Sequence, residues 1–303
     1  MLDHRVHTFL EVCRQGSFTK AAEALRITQP AVSQHVKQLE TRFRTKLFTQ
    51  RGRRLSLTPA GETLFQMSLS LANNEREIER AMVEASQDEQ SLAFGATLTV
   101  ADYAMPPCIA AHRQAFPKEH LAMTVANTQE LLDRIDRGEL ACALVEGYFD
   151  ERRYRSLPFS RERYVAVCAA SSQLPERPRS VRDLLGQPLL LREQGSGTRE
   201  VLERELAMRN LSVESFASTC ELGSIGAIKE CAAAGLGVTF LYRTAVRREI
   251  ESGALRDVTP DDFRSEHDFA FVWQRGSMQE ERYRSVFELW TKAYREAAAV
   301  EQP

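Results

Sequence analysis

Apolar residues recur at helical spacing over the first 43 positions and predict three consecutive helices. The first helix is expected over Leu2–Arg14, and the second begins after Ser17. Thr28 is placed as the N-cap of a third helix, which carries Pro30 in its first turn. The apolar stripe of that third helix comprises Ala31, Val32, Val36, Leu39 and Phe43.

The third predicted helix is polar on the face opposite this stripe. The polar face carries Gln29, Ser33, Gln34 and Lys37. Two short helices joined by a tight turn, the second with a polar outer face, form the helix-turn-helix pattern. Amide, hydroxyl and ammonium groups suit base edges and phosphates in a major groove. The same pattern also fits an αα-hairpin whose polar face meets only water.

Two short strands follow and predict a β-hairpin. They are expected at Leu47–Gln50 and Arg54–Leu57, and Arg51 and Arg53 flank the glycine of the turn. With the three helices before it, this hairpin completes a winged helix-turn-helix. Arginines at the tip of the wing can reach phosphates or a narrow minor groove, whereas a solvated basic turn is the alternative interpretation.

A long helix is predicted from Thr58-Pro59 to about Gln87. Its apolar residues recur every seven positions, as in a coiled coil, at Leu64, Leu71, Ile78 and Ala85. A helix of this length has little on which to bury its stripe except a second copy of itself. We therefore expect a dimerisation helix; packing on its own domain is the alternative.

From residue 90 onwards, strand patterns alternate with helix patterns, which is typical of a parallel sheet covered by helices. The predicted strands are Leu92–Ala96, Ala122–Val125, Cys142–Val145, Tyr164–Cys168, Pro188–Leu191, Phe216–Cys220, Val238–Leu241 and Phe269–Trp273. A helix predicted over Val100–Phe116 is expected to break at Pro106-Pro107. The pattern restarts after the fourth strand, so two similar α/β halves are expected.

Ligands of such sheets bind beyond the carboxyl ends of the strands, where two hydroxyl-rich segments stand out. Thr97 and Thr99 follow the first strand, and Ser196 and Thr198 follow the first strand of the second half. Hydroxyls beside helix N-termini favour a small oxyanion or carboxylate as ligand. The alternative is that these residues are helix caps and nothing more.

Three further residues are candidates for the same site. Glu146 follows the third strand and either pairs with an ammonium group of the ligand or simply ends the strand. Ser224 begins a helix and is expected at the cleft, whereas Arg192 either supplies positive charge to an anion or pairs with Glu193. The predicted effector-binding residues are Thr97, Thr99, Glu146, Ser196, Thr198 and Ser224.

The net charge of −2 hides an uneven distribution. Residues 1–60 carry 11 Lys and Arg against 4 Asp and Glu, whereas the remainder carries 29 against 38. A basic head on an acidic body indicates a polyanion-binding module joined to one with another task. The 303 residues suffice for two or three domains.

The remaining residues and motifs of the sequence exclude several classes of protein. The six cysteines are Cys13, Cys108, Cys142, Cys168, Cys220 and Cys231. They are scattered and form no metal-binding pattern, which indicates a reducing compartment. We find no signal peptide, membrane span, nucleophile elbow, zinc motif or phosphate-binding loop, so a cytoplasmic chain is expected that is not an enzyme and has no cofactor, metal or catalytic residue.

The head resembles that of the LysR-type transcriptional regulators. The matching segments are Ala21-Ala22-Glu-Ala-Leu, Thr28-Gln-Pro-Ala-Val-Ser-Gln34, Leu39-Glu40, Leu47-Phe48, Arg51 and Leu57-Thr-Pro-Ala-Gly61. The resemblance implies a DNA-binding set of Thr28, Gln29, Pro30, Ser33, Gln34, Lys37, Arg51 and Arg53. The family's usual arginine after the recognition segment is His35 here, which stays outside this set.

The resemblance also implies the architecture of an α+β multidomain chain. The winged helix-turn-helix is expected over residues 1–58, the linker and dimerisation helix over 59–89, and an effector-binding domain over 90–303. This last domain would be an α/β, two-lobed, periplasmic-binding-protein-like domain. Lobe II would span about 164–265, and the last strand and helix would return to lobe I (about 90–163 and 266–303).

The leading hypothesis is a sequence-specific transcriptional regulator that responds to a small anionic metabolite bound between the lobes. Its expected partners are a double-stranded dyad operator, a second copy in a homodimer, a tetramer built as a dimer of dimers, and RNA polymerase; no membrane is expected. The alternative is a redox sensor that uses Cys220 and Cys231. The peroxide sensors of the family carry their reactive cysteine in the stretch matching Glu193–Arg199, which has none here.

Overall fold

A computed structural model describes residues 2–51, 54–87 and 90–300, and the chain divides into two compact units. The first unit comprises Met1–Asp88, Asp136–Gly138 and Gln274–Glu280. The second unit comprises Glu89–Ile135, Glu139–Trp273 and Glu281–Pro303.

The first unit begins with three helices, a two-stranded wing and a long helix. The hydroxyls of Ser17 and Thr28 each accept a backbone N–H from three residues later, at 3.4 Å, and so begin the second and third helices. The two strands pair in antiparallel register from Phe48↔Leu57 to Arg51↔Arg54. The elements are α1 (His4–Gln15), α2 (Phe18–Leu25), α3 (Gln29–Phe43), β1 (Phe48–Arg51), β2 (Arg54–Leu57) and α4 (Pro59–Gln87).

The core of this head is small and comes from one face of each helix. Val32, Val36 and Leu39 of α3 are buried, as are Phe9 of α1 and Leu47 before β1. Val32, Val36 and Leu39 belong to the apolar stripe that the sequence predicts for the third helix. Because α3 packs through this stripe, its polar face is left outward.

The start of α4 is fixed by the wing beneath it. Thr58 Oγ1 accepts the backbone N–H of Gly61 at 3.0 Å and donates to the carbonyl oxygen of Lys46 at 2.6 Å. A Cβ at position 61 would lie 2.0 Å from the carbonyl oxygen of Leu47, so only glycine fits where the helix crosses this backbone.

Helix α4 keeps a row of large apolar side chains outside the core. Met67, Leu71, Ile78 and Met82 are between 52% and 69% exposed. Beside this row lies a groove of about 610 Å³. Its apolar lining comprises Leu2, Val6, Phe43, Leu64, Leu71, Ile78 and Met278.

The second unit is a mixed sheet covered by helices. Its first elements are β3 (Ser91–Ala96), α5 (Leu98–Tyr103), α6 (Met105–Ala115), β4 (His120–Val125), α7 (Thr128–Asp136), β5 (Cys142–Val145) and β6 (Tyr154–Ala169). They are followed by β7 (Pro188–Leu191), α8 (Gly197–Ala207), β8 (Ser218–Glu221), α9 (Ile225–Ala233), β9 (Val238–Tyr242), α10 (Arg243–Glu251), β10 (Leu255–Asp257), β11 (Ser265–Gln274) and α11 (Glu280–Val300).

The strand order β4-β3-β5-β11-β6-β9-β7-β8 divides the sheet into two lobes, with β10 paired to β6. In lobe I, β3 is parallel to β4 and β5; in lobe II, β7 is parallel to β8 and β9. The central strands β11 and β6 run antiparallel to β5 and β9, respectively, and join the lobes. Helix α11 packs on lobe I, because Trp290 contacts the ring of Phe94.

The two predicted α/β halves are therefore present, but several details differ. The sheet is not parallel throughout, since β6 and β11 cross between the lobes in the antiparallel sense. The break in the predicted 100–116 helix falls at Ala104, because the two prolines lie in the first turn of α6, where proline is tolerated. Helix α10 and strand β10 were not predicted.

Candidate functional site

A buried polar cluster lies where strands β3 and β5 end and helix α8 begins. Glu146 directly follows β5 and is 1% exposed. Its Oε1 accepts hydrogen bonds from Thr198 at 2.8 Å and from Thr99 at 3.2 Å, and the two threonine hydroxyls lie 3.2 Å apart. Three of the predicted effector-binding residues thus come together, with one threonine from each lobe meeting on a single carboxyl group.

Thr97 and Ser196 each lie two residues before a threonine of this cluster and have buried hydroxyls. Each occupies an N-cap position, but neither side chain makes a capping hydrogen bond. They are 2% and 4% exposed, and among the described residues neither Oγ atom has a hydrogen-bond partner. A buried hydroxyl without a partner costs about 1–3 kcal/mol, so each of these oxygens is a place where a ligand atom would restore a bond.

The two oxygens of Glu146 have different surroundings. Oε1 accepts both threonine hydroxyls, whereas Oε2 is buried and has no partner among the described residues. Burial raises the pKa of this carboxyl to about 7, although the hydrogen bonds from Thr198 and Thr99 and the charge of Arg192 lower it.

Arg192 supplies the positive charge of the cluster. It is 6% exposed, and its Nε and Nη2 donate to Glu193 at 2.7 Å each. Its Nη1 is buried and has no hydrogen-bond partner in the described part of the chain. Arg192 therefore does pair with Glu193, and it retains one nitrogen for a further acceptor.

A glycine brings lobe II close to lobe I at this point, and a buried phenol beside it is hydrogen-bonded within lobe II. A Cβ on Gly197 would lie 2.9 Å from Cγ of Glu146, so α8 approaches the end of β5 more closely than an alanine would permit. Tyr164 donates its hydroxyl to the carbonyl oxygens of Thr198 and Phe240, both at 2.9 Å.

Two residues that support the cluster were not predicted from the sequence. They are Tyr164, in the middle of a long strand, and Thr128, whose hydroxyl donates to the carbonyl oxygen of Glu146 at 2.6 Å. Thr128 opens α7 just beyond the second predicted strand, and that position was the available signal. Tyr164 gave no such signal.

The sixth predicted effector residue, Ser224, is placed differently. It is exposed, and its hydroxyl accepts the backbone N–H of Ala227 at 3.3 Å at the start of α9. No contact among the described residues brings it to Glu146. In the structure, the Ser224 side chain caps helix α9.

The predicted DNA-reading face lies outward on the first unit. Gln29, Gln34 and Lys37 are exposed, as are Thr28 and Pro30 at the start of α3, and Ser33 is half-buried. Gln29 Nε2 donates to the Ser33 hydroxyl at 2.9 Å, so these two side chains form one polar pair a helical turn apart.

His35 and the wing arginines are the remaining polar residues of interest in the head. His35 Nδ1 lies 2.9 Å from the Thr8 hydroxyl, and burial lowers the pKa of His35. It contacts α1 through this hydroxyl and stays outside the predicted DNA-binding set. Arg51 ends β1, whereas Arg53 lies outside the described residues.

The cysteines differ in exposure. Cys108, Cys142 and Cys168 are buried, and burial raises the pKa of each thiol, in the case of Cys108 to about 12. Cys220 is exposed on β8, and Cys231 is half-buried on α9. Within the described ranges no group of three or more His, Cys, Asp or Glu side chains is arranged to hold a metal ion, and no helix has the length and apolarity to cross a membrane.

An outward polar helix on a winged head, and a buried polar cluster between two lobes, assign the chain to the ligand-responsive transcriptional regulators. The family model described as "Bacterial regulatory helix-turn-helix protein, lysR family" matches residues 4–62, and the "LysR substrate binding domain" model matches residues 85–295. The chain belongs to the LysR family of transcriptional regulators.

Named relatives agree with this family. The chain is 31% identical over 251 residues to the HTH-type transcriptional regulator CysL of Bacillus subtilis, a match that covers 80% of this chain and 81% of CysL. It is 30% identical over 254 residues to the uncharacterized HTH-type transcriptional regulator YeiE of Escherichia coli K12, covering 84% and 85%. The fold is also similar to that of an H2O2-bound mutant of Corynebacterium glutamicum OxyR, with a TM-score of 0.63, 21% identity and coverage of 98% and 93%.

Proposed function

We propose that this LysR-type regulator responds to a small oxyanion or carboxylate bound between the lobes at Thr97, Thr99, Ser196 and Thr198. The observation that carries this proposal is the set of buried donors without partners. Thr97 Oγ1, Ser196 Oγ and Arg192 Nη1 are each buried, and none has a partner among the described residues. A ligand rich in acceptor oxygens would satisfy all three.

The cluster is also suited to transmit binding. Thr97 and Thr99 belong to lobe I, whereas Ser196 and Thr198 belong to lobe II. A ligand held by both pairs favours one angle between the lobes, because its differential affinity for that angle shifts the population. We propose that this shift alters how the two heads of a dimer are spaced on DNA.

The DNA-binding part of the proposal assigns base reading to Gln29, Ser33 and Gln34, and backbone contacts to Lys37, Arg51 and Arg53. The outward position of α3 supports it, as does the surplus of basic residues in the head. The exposed apolar row of α4 supports a homodimer through this helix, which fits a dyad operator. We also propose that two dimers assemble into a dimer of dimers and that the protein contacts RNA polymerase. The proposal further places the protein in the cytoplasm and gives it no enzymatic role.

The effector site is tested by Thr97→Val combined with Thr198→Val. This change removes two hydroxyls while the volume stays almost constant. The double variant is expected to lose its transcriptional response and its calorimetric binding of the effector, and to keep wild-type affinity for the operator. Ser224→Ala is the matched control, because this exposed cap lies away from the cluster; unchanged effector affinity in the double variant would refute the site.

A redox mode through Cys220 and Cys231 has less support. Cys220 is exposed, which would admit an oxidant. Among the described contacts, however, no basic side chain hydrogen-bonds to either sulfur. Cys220→Ser is expected to leave the regulatory response intact.

A further inference from the structure

The carboxyl group of Glu146 is the least expected feature of a cleft proposed to bind an anion. A negative charge at this place would repel the ligand, and the 1% exposure of the residue leaves little solvent to screen it. The hydrogen bonds of the carboxyl group show how Glu146 and a bound anion can share the cleft.

The two hydroxyl groups that donate to Glu146 both bond the same oxygen. Thr198 and Thr99 both approach Oε1, at 2.8 and 3.2 Å. Oε2 is buried and makes no hydrogen bond in the described part of the chain, although the backbone N–H of Thr198 also acts to lower the pKa of the carboxyl group. An ionised carboxylate would leave this oxygen charged and unsolvated, at a high cost. A neutral acid with its proton on Oε2 instead has a free O–H, and its Oε1 is the carbonyl oxygen that accepts the threonines.

The charged and titratable groups around Glu146 favour the neutral acid. Arg192, after β7, is the cation that acts on it, and two of the Arg192 nitrogens are already paired with Glu193. Tyr164 of β6 and Tyr242 of β9 are buried phenols whose pKa burial raises well above the ordinary value, so both stay neutral.

The side of the cluster formed by α8 adds a further negative group. Glu200 Oε2 lies near Gly147, 3.6 Å from where a Cβ would be. Helices α5 and α7 contribute the neutral hydroxyls of Thr99 and Thr128. In the described cluster, Arg192 Nη1 is thus the one cationic donor without a hydrogen-bond partner. Its positive charge is not enough to balance the negative charges of both an ionised Glu146 and an incoming anion.

We propose that the effector is a fully deprotonated oxyanion without an ammonium group, and that Glu146 binds it as a neutral carboxylic acid that donates a hydrogen bond from Oε2. This inference rests on the proposed function of the cleft. Every anion complex therefore contains the proton of Glu146. This proton is either already bound in the free protein or taken up when the anion binds. A buried acid of this kind acts as a hydrogen-bond donor rather than as a charge.

The proton sets the pH dependence of binding. Burial raises the pKa of the Glu146 carboxyl to about 7, so the free protein already carries the proton at pH 6. At pH 8.5 the proton must be taken up when the anion binds. By linkage, the affinity falls roughly 30-fold between pH 6 and pH 8.5, and about one proton is absorbed per anion at the higher pH.

The test is isothermal calorimetry on the full-length protein with sulfate, nitrate and thiosulfate as probes, because none of these anions titrates between pH 6 and pH 8.5. Cationic buffers of different ionisation enthalpy give the number of protons absorbed. Wild type is expected to show the 30-fold loss of affinity. Glu146→Gln, which keeps an N–H donor in place of the acid, is expected to bind with similar affinity at both pH values and to absorb no proton.

Two further variants separate the possible failures. Glu176→Gln is the matched control, because it removes an exposed carboxylate outside the cluster and should keep the pH dependence of wild type. Thr97→Val tests the anion site itself. If wild type binds equally at both pH values while Thr97→Val weakens binding, the proton linkage is wrong and the site stands.

Two other outcomes would overturn the proposal more broadly. If none of the three anions binds wild type or Glu146→Gln at pH 6, the anion site and its proton linkage both fail. If a screen of amino acids finds a ligand whose affinity rises with pH and is lost in Glu146→Gln, Glu146 binds an ammonium group as a carboxylate.

Discussion

Glu146→Gln should change the pH dependence of stability even without a ligand. Burial raises the pKa of Glu146 from 4.5 to about 7 in the folded chain. Between these values the folded chain keeps a proton that the unfolded chain has lost, so this group's stabilising contribution is complete below pH 4.5 and disappears as pH rises through 7. Each pH unit in this window removes about 1.4 kcal/mol, and between pH 5 and pH 8 the loss is roughly 2.5 kcal/mol.

The assay can be confined to the relevant unit of the full-length protein. Both tryptophans of the chain, Trp273 and Trp290, are buried in the second unit, so their fluorescence follows its unfolding in urea. Between pH 5 and pH 8, the unfolding free energy of wild type is expected to fall by roughly 2.5 kcal/mol more than that of Glu146→Gln. Glu176→Gln, at an exposed glutamate, is the control. Parallel pH profiles for wild type and Glu146→Gln would refute the assignment of a buried neutral acid.

Two predictions concern the first unit. Gln29→Ala with Ser33→Ala should cost about 1–3 kcal/mol of operator binding and leave affinity for random DNA unchanged, as measured by fluorescence anisotropy; equal losses on both DNAs would contradict base reading by α3. Ile78→Glu, which places a charge in the exposed apolar row of α4, should shift the dimer towards monomer in sedimentation, whereas Thr63→Glu at an exposed polar position of α4 should not. An unchanged dimer in Ile78→Glu would exclude this helix as the interface.

Local signals explain why the head could be predicted closely. Ser17 and Thr28 are caps whose partners lie three residues away, so each helix start can be recognised without knowledge of the rest of the fold. The start of α4 is similar, since Thr58 and Gly61 are close in sequence. Thr28 also shows the limit of such signals, because a cap does not reveal whether its helix meets DNA or water.

Elements that depend on distant contacts were missed. Helix α10 contains five charged residues and only three apolar ones, so its hydrophobic pattern is weak. Strand β6 is polar at Ser160–Arg163, where it passes between the lobes, and only its apolar second half was recognised as a strand. Tyr164 was missed for the same reason, since its partners Thr198 and Phe240 lie 34 and 76 residues away.

The effector cluster was predicted in part for a similar reason. The hydroxyls after the first strand of each half could be recognised because ligands of α/β sheets bind beyond strand ends. The sequence could not show that Thr97 and Ser196 lack the capping bonds that such residues usually make, whereas Ser224 makes one. It also left the role of Glu146 open, because Glu146 contacts Gly197 and Thr198, which follow it at a distance along the chain.

The central position of β11 has a consequence for biosynthesis. This strand lies between β5 and β6, although it is synthesised after every other strand. Strands β7 to β9 follow one another along the chain and can form their half of the sheet while translation continues. Lobe I must wait with the edge of β5, and the edge of β6 outside its pairing with β10, unpaired until Ser265–Gln274 emerges from the ribosome, and such edges promote aggregation. A premature stop codon before β11 would therefore yield a product with an open sheet, which chaperones and proteases should remove.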